Sequence, residues 1–203
     1  AFGCDNSKIK ICSLPRVDDI LTDNNAASRF FTENPGLSHD KIVLYLPTFR
    51  ERDAYIAEQL KVEFRDVDGY RLIISAHPLF SKIKIENEFS YSGDFSTYDL
   101  MKIADVIITD YSACAFEASV LMKPLYFFVP DYDEYSSERG INVDLKNEMP
   151  SATFENAEEL VNAIKLNNYD FDMLYKFKCE YVENTKANNA EILAKFVSML
   201  LKA

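Results

Sequence analysis

Between Ala104 and Glu117 the chain reads Ala-Asp-Val-Ile-Ile-Thr-Asp-Tyr-Ser-Ala-Cys-Ala-Phe-Glu, and this stretch constrains the fold more than any other. Val106-Ile107-Ile108 is a short β-branched run, the pattern of a strand buried on both faces of a parallel sheet. Thr109 and Asp110 end it, and both residue types are good helix N-caps. Residues 112–122 then predict a helix of small and apolar side chains, too apolar to lie on a surface. A strand running straight into a buried helix leaves backbone N–H groups at the carboxyl edge of the sheet. Anions, phosphates above all, bind there in α/β folds. Ser112 and Ala113 at the turn are small enough to let a pyrophosphate approach the backbone. Glu117 follows about one turn later, where a carboxylate can accept hydrogen bonds from a ribose diol. The same residues would also serve an ordinary strand–turn–helix unit that binds nothing.

The remainder of the chain supplies partners for such a unit. Strands are expected over 8–12, 41–46, 70–76 and 125–129, and helices over 51–64, 98–103, 157–165, 169–181 and 190–201. Residues 17–24 read as a short helix or turn, 34–38 as a loop, and 82–96 as partly extended. An acidic aromatic loop is expected from Asp131 to Tyr135, a feature that would suit protein docking. In the last helix Leu193, Phe196, Val197, Leu200 and Leu201 form one apolar stripe. Strands alternating with helices imply a doubly wound, Rossmann-like α/β domain with a mostly parallel sheet. We read residues 1–203 as one such domain, with C-terminal helices over 166–203.

With 203 residues and 48% hydrophobic content, the chain can bury a substantial core. Its net charge of −11 argues against nucleic acid as a partner and against nonspecific attraction to anionic lipid. No apolar run approaches the roughly 20 residues needed to span a bilayer. The four cysteines have no metal spacing and there are only two histidines, so no metal or other cofactor is expected. His39 lies in a polar loop and reads as solvated. The chain opens on Ala-Phe-Gly-Cys, which reads like mid-domain sequence, so a piece of a longer protein is expected.

Reading only the strand ends concentrates the chemistry. Arg16, Thr48 with Arg50, His77, and Ser112 with Glu117 each follow a strand's expected carboxyl end. In an open α/β sheet those ends converge on one crevice. Taken singly, Arg16 and Arg50 read as surface ion pairs more readily than as ligand clamps, and a His before Pro fits a structural cap as well as a functional group. Together, guanidinium and imidazolium donors, backbone amides and a carboxylate suit a nucleoside diphosphate.

These residues also carry a resemblance. Leu14-Pro15-Arg16, Leu44-Tyr-Leu-Pro47-Thr48-Phe49-Arg50, Ala76-His77-Pro78, Ala104 to Ser112, Lys123-Pro124 and Arg139-Gly140 resemble the CDP-glycerol glycerophosphotransferase family. That family comprises the teichoic acid polymerases and primases of bacterial cell-wall synthesis. The resemblance runs from about residue 1 to 165, and it implies the C-terminal, donor-binding half of a two-Rossmann fold of the GT-B type. It implies that Arg16, Thr48, Phe49, Arg50, Ser75, Ala76 and His77 contact the donor, with His77 as the catalytic proton donor beside the departing group. Ser112 and Ala113 would offer amides to the phosphates and Glu117 would hold the ribose. Departures fall at Ala113, where the family usually carries a second small hydroxyl residue, at Glu117, often Asp, and near Ser75, where a basic residue is common. In residues 187–189 the usual Asp-Gly turn is also absent.

The resulting expectation is a transferase half that moves a polyol phosphate from a CDP-activated donor to a hydroxyl acceptor, releasing CMP. The lipid-linked or polymeric acceptor would meet it through an N-terminal half, at the inner face of the bacterial membrane. Two other readings stay open on sequence: a nucleotide-sugar glycosyltransferase of the same fold, and a non-catalytic nucleotide-binding or docking module.

Overall fold

Continuous apolar strands separated by helices bury both sheet faces only when helices cover both. A computed structural model of the chain builds this arrangement and describes residues 3, 5, 9, 14–22, 24–48, 50, 52–76, 83–182, 186 and 188–201. Phe49, His77 and, apart from Ile9, the strand expected over 8–12 lie outside the described residues. The sheet has five strands: β1 (Lys41–Tyr45), β2 (Tyr70–Ile74), β3 (Val106–Thr109), β4 (Leu125–Phe128) and β5 (Thr153–Phe154). Their order is β2-β1-β3-β4-β5, and every pairing is parallel. Val43 lies opposite both Leu72 and Val106, and Ile107 opposite Leu125. The whole of β3 and β4 is buried, as is β1 after Lys41.

The β1-to-β2 connection runs one way along the sheet and the β2-to-β3 connection runs back past β1. With right-handed crossovers, their helices fall on opposite faces. The first face carries α3 (Asp53–Phe64), packed on α8 (Ala157–Leu166). Against the second lie α1 (Arg16–Leu21), α2 (Ala26–Glu33), α4 (Thr97–Ile103), α5 (Cys114–Val120) and α9 (Phe171–Tyr181). Between β4 and β5 come α6 (Tyr132–Arg139) and α7 (Leu145–Glu148), and α10 (Asn189–Leu200) leans on α1. Reversal of strand order between β1 and β3 opens a crevice above their carboxyl ends, the place where ligands bind in such sheets.

Local chemistry fixes the crevice walls. Ser96 begins α4 with a capping box: its Oγ accepts the Asp99 N–H at 3.1 Å, and Asp99 accepts the Ser96 N–H at 3.1 Å. Lys123 Nζ donates to the carbonyls of Lys102 and Ala104, tying the end of α4 to the turn before β4. Gly140 ends α6 with a φ of 76°, a backbone that side chains resist.

Three expectations are corrected. Asp110 does not cap α5, which starts later, at Cys114; its carboxylate turns sideways to the loop after β1 instead. The stretch from Tyr132 is a helix, not a loop, and Asp131 and Tyr135 point inward to partners described below. The stripe on α10 is not packed into the core: Val197, Leu200 and Leu201 are exposed, and Leu193 and Phe196 are only half-buried. His39 is exposed, as expected.

Candidate functional site

Arg16 enters the crevice from the first position of α1, directly after Pro15. Its Nε forms an ion pair with Glu117 Oε1 on α5. The arginine side chain is 47% exposed and the glutamate 3%, so one partner faces solvent and the other lies in the protein. Oε2 of Glu117 is buried and accepts no hydrogen bond from any of the described residues. Burial pushes the Glu117 carboxyl above its usual range, and the Arg16 guanidinium pulls it partly back. Arg16, Tyr98, Ser112, Ala113 and Glu117 line one cleft of about 490 Å³, with the start of α4 as its far wall.

The floor of the cleft is the turn between β3 and α5. No acceptor among the described residues takes the N–H of Ser112 or Ala113, while Ser112 Oγ accepts the Cys114 N–H at 3.4 Å. Ala113 is exposed, so the turn presents backbone rather than side chain. Cys114 lies beneath it, its thiol pushed up to about 11 by burial. On the other side of the turn, Tyr111, Tyr135, Ile141 and Phe116 bound a second chamber of about 130 Å³. Ser75 and Ala76 stand half-buried at the end of β2, where the Ser75 N–H donates to the Tyr45 carbonyl at 3.0 Å.

Thr48 and Arg50 are both engaged below this surface. Thr48 donates its N–H to both oxygens of Asp110 at 3.0 Å and its hydroxyl to Oδ1 at 2.5 Å. Arg50 is 5% exposed, a buried ion pair and not a surface one. Its Nη2 lies 3.1 Å from Asp110 Oδ2 and its Nε 3.3 Å from Asp131 Oδ2. Its N–H vectors miss those oxygens, so the pairing is electrostatic and leaves the guanidinium nitrogens without aligned acceptors. The guanidinium carbon sits 5.2 Å from the Tyr111 ring centre and 5.8 Å from that of Tyr135. Those two rings stack at 3.8 Å, and Tyr111 Oη donates to Asp131 Oδ1 at 3.2 Å. Desolvation raises the Asp110 carboxyl, against the pull of Arg50.

Sequence reasoning did not single out Tyr98 or Tyr111, it placed Asp131 in a docking loop, and it gave Asp110 only a capping role. A signal was present for Asp110 and Asp131: each is an acidic residue at the end of an apolar strand, where a buried charge needs a partner. Among the described residues no three His, Cys, Asp or Glu side chains are grouped to hold a metal ion. No helix among them is long and apolar enough to cross a membrane.

Comparison with known proteins gives a consistent picture. Residues 1–199 match the family described as CDP-Glycerol:Poly(glycerophosphate) glycerophosphotransferase. The teichoic acid ribitol-phosphate primase of Bacillus spizizenii is 30% identical over 99% of this chain and 56% of its own length. For the teichoic acid glycerol-phosphate primase of Bacillus subtilis the values are 26%, 99% and 54%. The chain therefore spans about half the length of these relatives. The wall teichoic acid polymerase TagF superposes with a TM-score of 0.68 at 23% identity, covering all of this chain and 55% of TagF. A UDP-GlcNAc 2-epimerase from Methanocaldococcus jannaschii shares the fold with a TM-score of 0.54 at 19% identity, over 97% of this chain and 56% of that protein.

Proposed function

The chain belongs to the CDP-glycerol:poly(glycerophosphate) glycerophosphotransferase family, and we propose that it is the donor-binding half of a transferase building a teichoic acid-like polymer. The donor is a CDP-activated polyol and the acceptor a hydroxyl on a lipid-linked or polymeric chain. The observation that carries this reading is the cleft over the β3–α5 turn, where Arg16, two backbone N–H groups and the buried Oε2 of Glu117 converge, the last three without a hydrogen-bond partner among the described residues. A buried carboxylate oxygen without a donor is costly, and a ribose hydroxyl would satisfy it.

In this reading the Ser112 and Ala113 amides meet the diphosphate, Glu117 accepts from the ribose, and Arg16 bridges ribose and phosphate. Thr48 and Phe49 contact the donor from the β1 side, with Arg50 beneath them, and Ser75, Ala76 and His77 do so from the segment that follows β2. The acceptor hydroxyl attacks the phosphorus that carries the polyol and gives up its proton to solvent, the bond to the CMP oxygen breaks in line, and CMP leaves. His77 protonates the departing phosphate, and the amides at the turn hold its charge. In the complete enzyme the work is done at the inner membrane face, where a lipid-linked acceptor lies.

Calorimetric titration of the chain with CDP-glycerol, CDP-ribitol and UDP-GlcNAc tests the reading. Binding of the cytidine compounds in preference to the uridine one is expected. Tighter binding of UDP-GlcNAc would overturn it in favour of a sugar donor, and binding of none would remove the nucleotide site.

A further inference from the structure

We propose that Asp110 and Arg50 are positioning residues, holding the donor site's floor in place from beneath without touching the donor. This rests on the donor-binding reading above. Asp110 follows β3 directly, is 1% exposed, and precedes the Tyr111-Ser112-Ala113 turn. Through its bonds to Thr48 it clamps the loop after β1 to the loop after β3, 62 positions away in sequence. Arg50 extends the clamp to a third loop by pairing with Asp131 after β4. Tyr111 closes the ring, since it follows Asp110, donates to Asp131 and stacks on Tyr135.

Two buried charges and a half-buried third are at best neutral for stability compared with a well-packed apolar cluster. Their value lies in geometry. The directional bonds from Thr48 to Asp110 accept few arrangements, so the ends of β1 and β3 are fixed relative to each other, and the Arg50 charge draws Asp131 at the end of β4 toward them. Misplacing reacting groups by about an ångström can cost a hundredfold in rate. Thr48 is part of the same device. Its N–H and hydroxyl proton are spent on Asp110, which leaves the hydroxyl oxygen's lone pairs for a ligand.

The test pairs amide hydrogen exchange with cytidine nucleotide titration on Asp110→Asn and, should that variant fold poorly, on Thr48→Val, which keeps the side-chain volume. Faster exchange confined to residues 46–50 and 110–114 is expected, with α8 and β2 unchanged. CDP-glycerol affinity should fall about tenfold to a hundredfold in the same variants, measured well below their melting temperatures. Arg50→Lys alone should lower it as well, because an ammonium cannot span the Asp110 and Asp131 carboxylates as the planar guanidinium does. Exchange that is unchanged, or raised evenly over the whole chain, would overturn the proposal, as would local loosening with affinity within twofold of the parent. If the parent binds no cytidine nucleotide, the donor-site reading fails, while the exchange pattern still decides whether the three loops are clamped by Asp110.

Discussion

At Glu117, burial and charge pull in opposite directions. The side chain is 2% exposed, Arg16 covers one oxygen, and the other has no partner among the described residues. Its carboxyl is raised above its usual 4.5 in the folded chain. A group raised on folding contributes stability that is present below the unfolded value and lost as pH rises through the folded one. At pH 7 the ionised carboxylate therefore costs stability, and Glu117→Gln should leave the melting temperature unchanged or higher. The same variant should weaken nucleotide binding by about 1–3 kcal/mol, the scale of a lost hydrogen bond to a charged acceptor. A thermal melt as pH falls from 7 to the unfolded value of 4.5 checks the first half, since the parent should gain stability on that approach relative to the variant. Equal nucleotide affinity in parent and variant would remove Glu117 from the ribose. Ser112 and Glu117 were legible because they follow the end of β3, while Arg16 was grouped with them through a strand expected over 8–12, which apart from Ile9 lies outside the described residues. Asp110 was misread because an aspartate after a strand fits a helix cap as well as a partner 62 residues away.

Among the elements, those with an apolar period were the readable ones. The strands at 41–45, 106–109 and 125–128 and the helices at 157–166 and 171–181 carry their burial pattern in sequence. By contrast, α6 reads Tyr-Asp-Glu-Tyr-Ser-Ser-Glu-Arg, with no apolar stripe. It is held by Tyr132 donating to Asp144 at 3.1 Å and by the Tyr135–Tyr111 stack, and neither contact is local in sequence. The α10 helix misled in the opposite sense, for its stripe is the part that stays exposed. It is anchored at its start, where Asp18 on α1 accepts the N–H groups of Asn189 and Ala190 at 2.9 Å each. A carboxylate from another helix thus does the work of an N-cap. Those N–H groups, that of Ala190 foremost, hold the Asp18 carboxyl below its usual 3.8. A depressed carboxyl contributes stability above the unfolded value and loses it as pH falls through the folded one. Asp18→Ala should raise amide exchange in the first turn of α10 at pH 7 while α9 stays protected. The parent should show the same fraying only below about pH 3.8. Unchanged exchange in α10 would mean that its anchor lies elsewhere.

For the molecule as a whole, alternation of strands and helices was enough to expect a parallel, doubly wound sheet, but not its strand order. Order is set by which connections cross back, and the path from β2 past β1 to β3 leaves no mark in local composition. That crossing creates the crevice, and with it the site. The crevice here has a floor and one wall: Arg16 is 47% exposed, Ala113 is exposed, and the Glu117 cleft is open to solvent. Phosphoryl transfer to a hydroxyl needs the competing water excluded, which two lobes accomplish by closing over the donor. This chain, about half the length of its relatives, should therefore bind a cytidine nucleotide weakly and transfer nothing on its own. Incubation with CDP-glycerol and a lipid-linked acceptor should release CMP at the background rate while titration still detects binding. Release at the rate of a full-length relative would show instead that the 203 residues close the reaction site without a second lobe.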